Sequence, residues 1–229
     1  MPGKQVSRRS VLAGAGAAVA SGVALTAGAS PAQAENVNDP RVIGVAPAGA
    51  TAVEFRGRIA QTGSNGETFS SDGFLTRVKG AQLSALFAGS ATDVSTALLT
   101  VRATGQLTAR VLDQSVHALD IVGQLTVYQR RTPGADFADP ASFTDGSLAA
   151  RFTLTLQDVL TVFAPAKGLP TLTGDMVQTE VRTLTGPLAG RRLGYRGQRL
   201  RLYATGLGTL IDPVTLNALL EIAGNWSTP

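Results

Sequence analysis

The chain has 229 residues, no cysteine, one histidine and a formal net charge of +4. Without thiols, thiolate zinc sites, iron–sulfur clusters and c-type haem attachment are excluded. One imidazole is too few for the usual copper or catalytic zinc site, and no Asp-rich loop has EF-hand spacing, so no cofactor and no metal are expected.

Residues 1–34 read as a targeting segment that is cleaved. Lys4, Arg8 and Arg9 form a basic start, an Ala/Gly-rich apolar run covers residues 11–29, and Ala32-Gln33-Ala34 is a small-residue cleavage signal with the cut after Ala34. Ser7-Arg8-Arg9-Ser10-Val11-Leu12 resembles the twin-arginine export motif of bacteria. Val11 replaces the usual aromatic residue and Ala13 the usual lysine, and an ordinary secretory signal is the alternative. The resemblance implies a secreted protein that engages the export machinery through Arg8 and Arg9 and crosses the membrane folded. The segment holds three basic and no acidic residues, so its removal leaves 195 residues carrying +1. That near-balance lacks the concentrated positive field that nucleic acid requires, and the length suits a single domain with a proper core.

Residues 35–50, with Pro40 and Pro47, are expected to form a flexible arm. Period-two patterning then dominates. Val53, Phe55, Gly57 and Ile59 oppose Glu54, Arg56 and Arg58. Asn65-Gly66 is a hairpin signal in which both residues reach positive φ. The returning strand covers residues 69–79, with an interruption at Asp72-Gly73. Residues 81–88 offer a short helical turn through Leu83, Leu86 and Phe87. In residues 99–111 every odd position is apolar or small and every even one polar. A turn at Asp113-Gln114-Ser115 leads to a second such run, where Leu119, Ile121, Gly123, Leu125 and Val127 share a face.

Turn-rich residues 131–146 precede Phe152, Leu154 and Leu156, which alternate with Thr153, Thr155 and Gln157. Leu200, Leu202, Ala204 and Gly206 alternate with Arg199, Arg201, Tyr203 and Thr205, and Ala218, Leu220, Ile222 and Gly224 close the chain. About eight antiparallel strands with one apolar face must curl or pair to bury it. An all-β fold is expected over residues 51–229: a single antiparallel β-barrel, with a β-sandwich as the alternative. Inward glycines and alanines favour the coiled strands of a barrel. In strand pattern across residues 50–226 the chain resembles calycin and allene-oxide-cyclase barrels. No motif of either family stands here, so the resemblance implies no site residues.

Two residues are candidates for binding chemistry. Asp158 falls in phase with Phe152, Leu154 and Leu156, which makes it either an inward carboxylate of raised pKa or, if a bulge at Gln157-Asp158 flips the phase, a solvent-facing one. His117 enters a strand on the apolar face and reads as a rim residue. No G-x-S-x-G elbow accompanies it, which argues against a hydrolase triad. Arg191, Arg192, Arg196, Arg199 and Arg201 form either an anion-binding surface or a charged, solvated sheet face. Three functions are compatible with these features: a secreted barrel binding a small apolar ligand, a structural or interaction protein of the envelope, and a barrel cyclase or isomerase.

Overall fold

Alternation of apolar and polar residues is carried through eight long strands, and these close into one antiparallel barrel, which excludes the sandwich. The computed structural model describes residues 39–229; the expected export signal, with Arg8, Arg9 and the cut after Ala34, lies outside them. The barrel order is β10-β2-β3-β4-β5-β6-β7-β9. The strands are β2 (Thr51–Thr62), β3 (Thr68–Val78), β4 (Leu99–Asp113), β5 (Val116–Gln129), β6 (Ser147–Ala164), β7 (Lys167–Val181), β9 (Arg199–Asp212) and β10 (Asn217–Ser227). Two short strands, β1 (Val42–Ile43) and β8 (Arg192–Leu193), pair in parallel outside the barrel. Apolar side chains fill the interior while Thr, Gln and Arg cover the outside, the reverse of a barrel embedded in lipid.

Ile121, Leu125, Leu154 and Leu202 are buried as the alternation requires. Leu107, expected with them, is only half-buried. The cause is a bulge between Leu107 and Ala109 in the pairing of β4 with β5, because one inserted residue reverses every side chain beyond it. Val111 therefore points out and is 62% exposed, while Arg110 and Leu112 turn toward the barrel mouth.

Several other expectations change. The 35–50 segment is no flexible arm where it is described: Val42, Ile43, Val45 and Ala46 are buried, and β1 is held by β8. The β2–β3 loop spans residues 63–67, with Gly63 and Gly66 at positive φ and Asn65 not, so the turn is longer than a two-residue hairpin. Strand β3 runs uninterrupted through Asp72-Gly73. Gly73 there lies opposite Gly57, and a Cβ on either would sit 2.6–2.7 Å from a backbone oxygen of the other strand, so this corner of the barrel demands glycine. The short helical turn forms at Leu83–Ala85.

The connections divide the barrel into two unlike ends. Tight hairpins join β2 to β3, β4 to β5, β6 to β7 and β9 to β10 at one end, and the three long connections, 79–98, 130–146 and 182–198, all fall at the other. The long connections fold over their end with buried Leu86, Phe87, Phe143, Leu188 and Leu193. Strand-end side chains fasten them: Thr100 Oγ1 donates to the Phe143 carbonyl at 2.7 Å, and Gln178 Nε2 to that of Leu193 at 2.7 Å. Gln129 exchanges two 2.8 Å bonds with the Thr185 backbone. That end is sealed.

Candidate functional site

The hairpin end is open. A pocket of about 200 Å³ enters the barrel there, walled by Leu112, Leu119, Leu160, Val162, Leu210, Leu216 and Leu220 with Gly168 and Gly208. Leu119, Leu160, Val162, Gly208, Leu210 and Leu220 follow from the inward phase of β5, β6, β9 and β10 continuing past the packed core; Leu112 is turned in by the β4 bulge, Gly168 comes from the start of β7 and Leu216 from the β9–β10 turn. Polar groups are few: Gln61, Arg110, Gln114, His117, Lys167 and Thr209 near the rim, and Asp158 deeper. A second, inner cavity of about 60 Å³ is lined mainly by aliphatic residues with Phe55, Phe69 and Trp226 and a few hydroxyls such as Ser70 and Ser71, and Asp158 and Leu220 border both spaces.

Asp158 is the chemical centre of this end. No bulge flips it: on β6 it stays in register with Leu119 of β5 and Leu172 of β7, so two leucines flank it and it is 2% exposed. Its Oδ1 has no hydrogen-bond partner among the described residues. Burial pushes its pKa up to about 6, against the smaller opposing effect of the Thr171 backbone. His117 is opposite Leu160, one inward step nearer the mouth than Asp158. The two candidates thus share one pocket wall.

The rim is tied by side chains from the strand ends. Arg110 donates to the Asn65 and Gly66 carbonyls at 2.7 and 3.0 Å, Gln61 Nε2 to Gly66 O at 2.9 Å, and Lys167 Nζ to Thr209 Oγ1 at 2.9 Å. Sequence alternation placed Arg110 on the outer face; only the bulge brings it here. Lys167 and Gly168 open β7, a strand that alternation does not reveal. Gln114, Ala166 and Leu216 are the non-glycine residues at positive φ among the described residues. All three line this pocket. Such backbone is held at a cost and concentrates at functional sites.

The arginines go elsewhere. Arg191 and Arg192 flank the sealed end, where Arg191 donates to the Gly80 carbonyl and Arg192 pairs with Asp39 at 3.5 Å. Arg196, Arg199 and Arg201 are exposed, and Arg201 pairs with Asp175 at 3.3 Å. None of the five lines the mouth pocket. Among the described residues no group of three or more His, Asp or Glu is placed to hold a metal ion.

The mouth offers an apolar chamber with one buried carboxylate. Its volume exceeds the ~150 Å³ of an apolar cavity that admits benzene, whereas the inner cavity falls below that. Compared with known proteins, the chain matches no protein-family model, and no curated protein and no solved structure matches it. The likeness to calycin and allene-oxide-cyclase barrels therefore rests on strand pattern alone.

Proposed function

We propose that this protein is an exported β-barrel that binds a small apolar molecule through its open mouth. The observation that carries the reading is the contrast between the end of the barrel covered by the long connections and the apolar pocket that enters the barrel at the opposite end, with Asp158 Oδ1 unpaired at its floor. Apolar walls with a few placed polar groups are what small-molecule sites consist of. Export rests on residues 1–34 and makes the ligand one met outside the cytoplasm. Titration with apolar fluorescent probes and fatty acids should give saturable binding at micromolar concentration. Its absence would favour the structural or adhesive reading, in which the exposed arginines make the contacts. Export is tested separately. The protein in culture medium should begin at Glu35 by intact mass, and replacing Arg8 and Arg9 by lysine should block its appearance.

The placement of Asp158, buried at the floor of the pocket where it faces a bound molecule, favours a cyclase or isomerase as the second reading. A carboxyl with a pKa of about 6 exchanges a proton readily near neutrality. The same pocket and the same Asp158 serve either reading, and only turnover of a bound ligand separates them.

A further inference from the structure

The mouth pocket is mostly aliphatic, so its polar floor determines which apolar molecules it prefers. Asp158 Oδ1 is buried with no hydrogen-bond partner, and an ionised carboxylate is an acceptor only. None of the pocket's donor side chains, Gln61, Arg110, Gln114, His117 and Lys167, is hydrogen-bonded to Oδ1; Gln61 and Arg110 bond the β2–β3 loop and Lys167 bonds Thr209, and the carboxylate's one backbone contact is with Thr171. The direct neighbours across both strand pairs are Leu119 and Leu172, which have no side-chain donor. An acceptor left unpaired at this depth carries a desolvation penalty that a matching donor removes.

We infer that the ligand of this pocket is a neutral apolar molecule bearing a hydroxyl, which donates its hydrogen bond to Asp158. This deepens the proposed binding function and rests on it. Charge sets a carboxylate-bearing ligand apart: at the floor it would face the Asp158 carboxylate, and at the rim it would leave Oδ1 unpaired. An ammonium would also pair with the carboxylate, but it has to pass the cations Arg110 and Lys167 at the rim, which costs a neutral hydroxyl nothing. The volume of about 200 Å³ lies below the ~300–1,000 Å³ of drug-sized sites, which points to a single-ring or similarly compact body.

The test uses three compounds with one apolar body: 4-tert-butylphenol, 4-tert-butylanisole and 4-tert-butylbenzoate, each titrated calorimetrically into the protein at pH 7.5. The phenol should bind about tenfold tighter than the anisole or better, as a hydrogen bond to a charged acceptor provides. In Asp158→Leu that ratio should fall to about one. Asp158→Asn, which keeps an acceptor oxygen without the charge, should give an intermediate ratio and stands in if the leucine variant does not fold. Equal, saturable binding of phenol and anisole to the unaltered protein would overturn the hydroxyl assignment while leaving the pocket as a binding site. Tightest binding of the benzoate would overturn it in favour of the rim cations. If none of the three binds, nor any apolar probe, the binding function itself falls.

Discussion

The two ends of the barrel are built from the same strands yet solve opposite problems. At the sealed end, backbone that must turn sharply does so at glycine, as at Gly44, Gly80 and Gly194. There the loop carbonyls of Phe143, Leu193 and Thr185 each receive a donor from a strand terminus. At the mouth, Gln114, Ala166 and Leu216 occupy positive φ without being glycine, and a buried carboxylate oxygen has no partner. Buried polar atoms without a partner occur at both ends, Gln178 Oε1 and Gln198 Oε1 at the sealed one and Asp158 Oδ1 at the mouth. What sets the mouth apart is non-glycine backbone at positive φ and an unpaired oxygen on a group that can carry charge, features that concentrate at sites shaped for something other than stability.

Mutations should separate the ends by size of effect. Phe143→Ala, removing a fully buried ring from the sealed end, should cost about 3–5 kcal/mol in denaturant unfolding. Ile211→Ala on the exposed mouth hairpin should stay within about 0.5 kcal/mol. Equal costs would erase the distinction between the ends.

Asp158 gives a contrast that depends on pH. Its pKa in the folded protein, about 6, lies above the unfolded value near 3.8, so the folded state holds the proton more tightly. The protonated carboxyl is tolerated below pH 4, and stability should decline as pH rises from about 4 to 6 and then level off. The gap between these two values corresponds to about 3 kcal/mol. Asp158→Asn should therefore stabilise the protein by up to that amount at pH 8 and little at pH 4. A variant that destabilises equally at both values would mean that the carboxylate is not the liability described.

Smaller effects sharpen the same comparison. Gln129→Ala, which frees the Thr185 N–H and carbonyl at the sealed end, should cost about 1–3 kcal/mol. Ala166→Gly at the mouth should instead stabilise by about 0.5–1 kcal/mol, relief of the positive φ outweighing the entropy of glycine. Thermal unfolding of both variants would show opposite signs, and a loss with Ala166→Gly would remove strain from the account of the mouth.

The barrel was legible because most strands keep one apolar face over five or more inward positions, as in Leu119 to Val127. Strand β7 was not, because its inward positions include Gly168, Pro170, Gly174 and Gln178 while Leu169 and Val177 face out. Pro170 cannot donate to a ladder, and the pairing of β7 with β9 skips it, passing from Gly168–Gly208 to Thr171–Thr205. The candidate site was half legible. Counting by twos along β6 and β5 raises Asp158 and His117, but whether a bulge turns Asp158 back to solvent is decided only by its register with Leu119 and Leu172. Such counting does not raise Arg110, since the bulge that turns it inward leaves no local signature in "LTAR". The sealing loops escaped as well: nothing local marks Gln129, Gln178 and Gln198, whose partner carbonyls come from segments distant in sequence.

The central claim is that the open end, and not the sealed one, takes up a small apolar molecule beside Asp158. Backbone amide chemical shifts of the 15N-labelled protein, followed while 4-tert-butylphenol is added, test it most directly. The account predicts saturable shifts centred on Asp158, Leu119, Leu160 and Gly168, with Thr185, Leu193 and Phe143 unmoved. Shifts centred on the sealed end, or none as the compound approaches saturation, would contradict it.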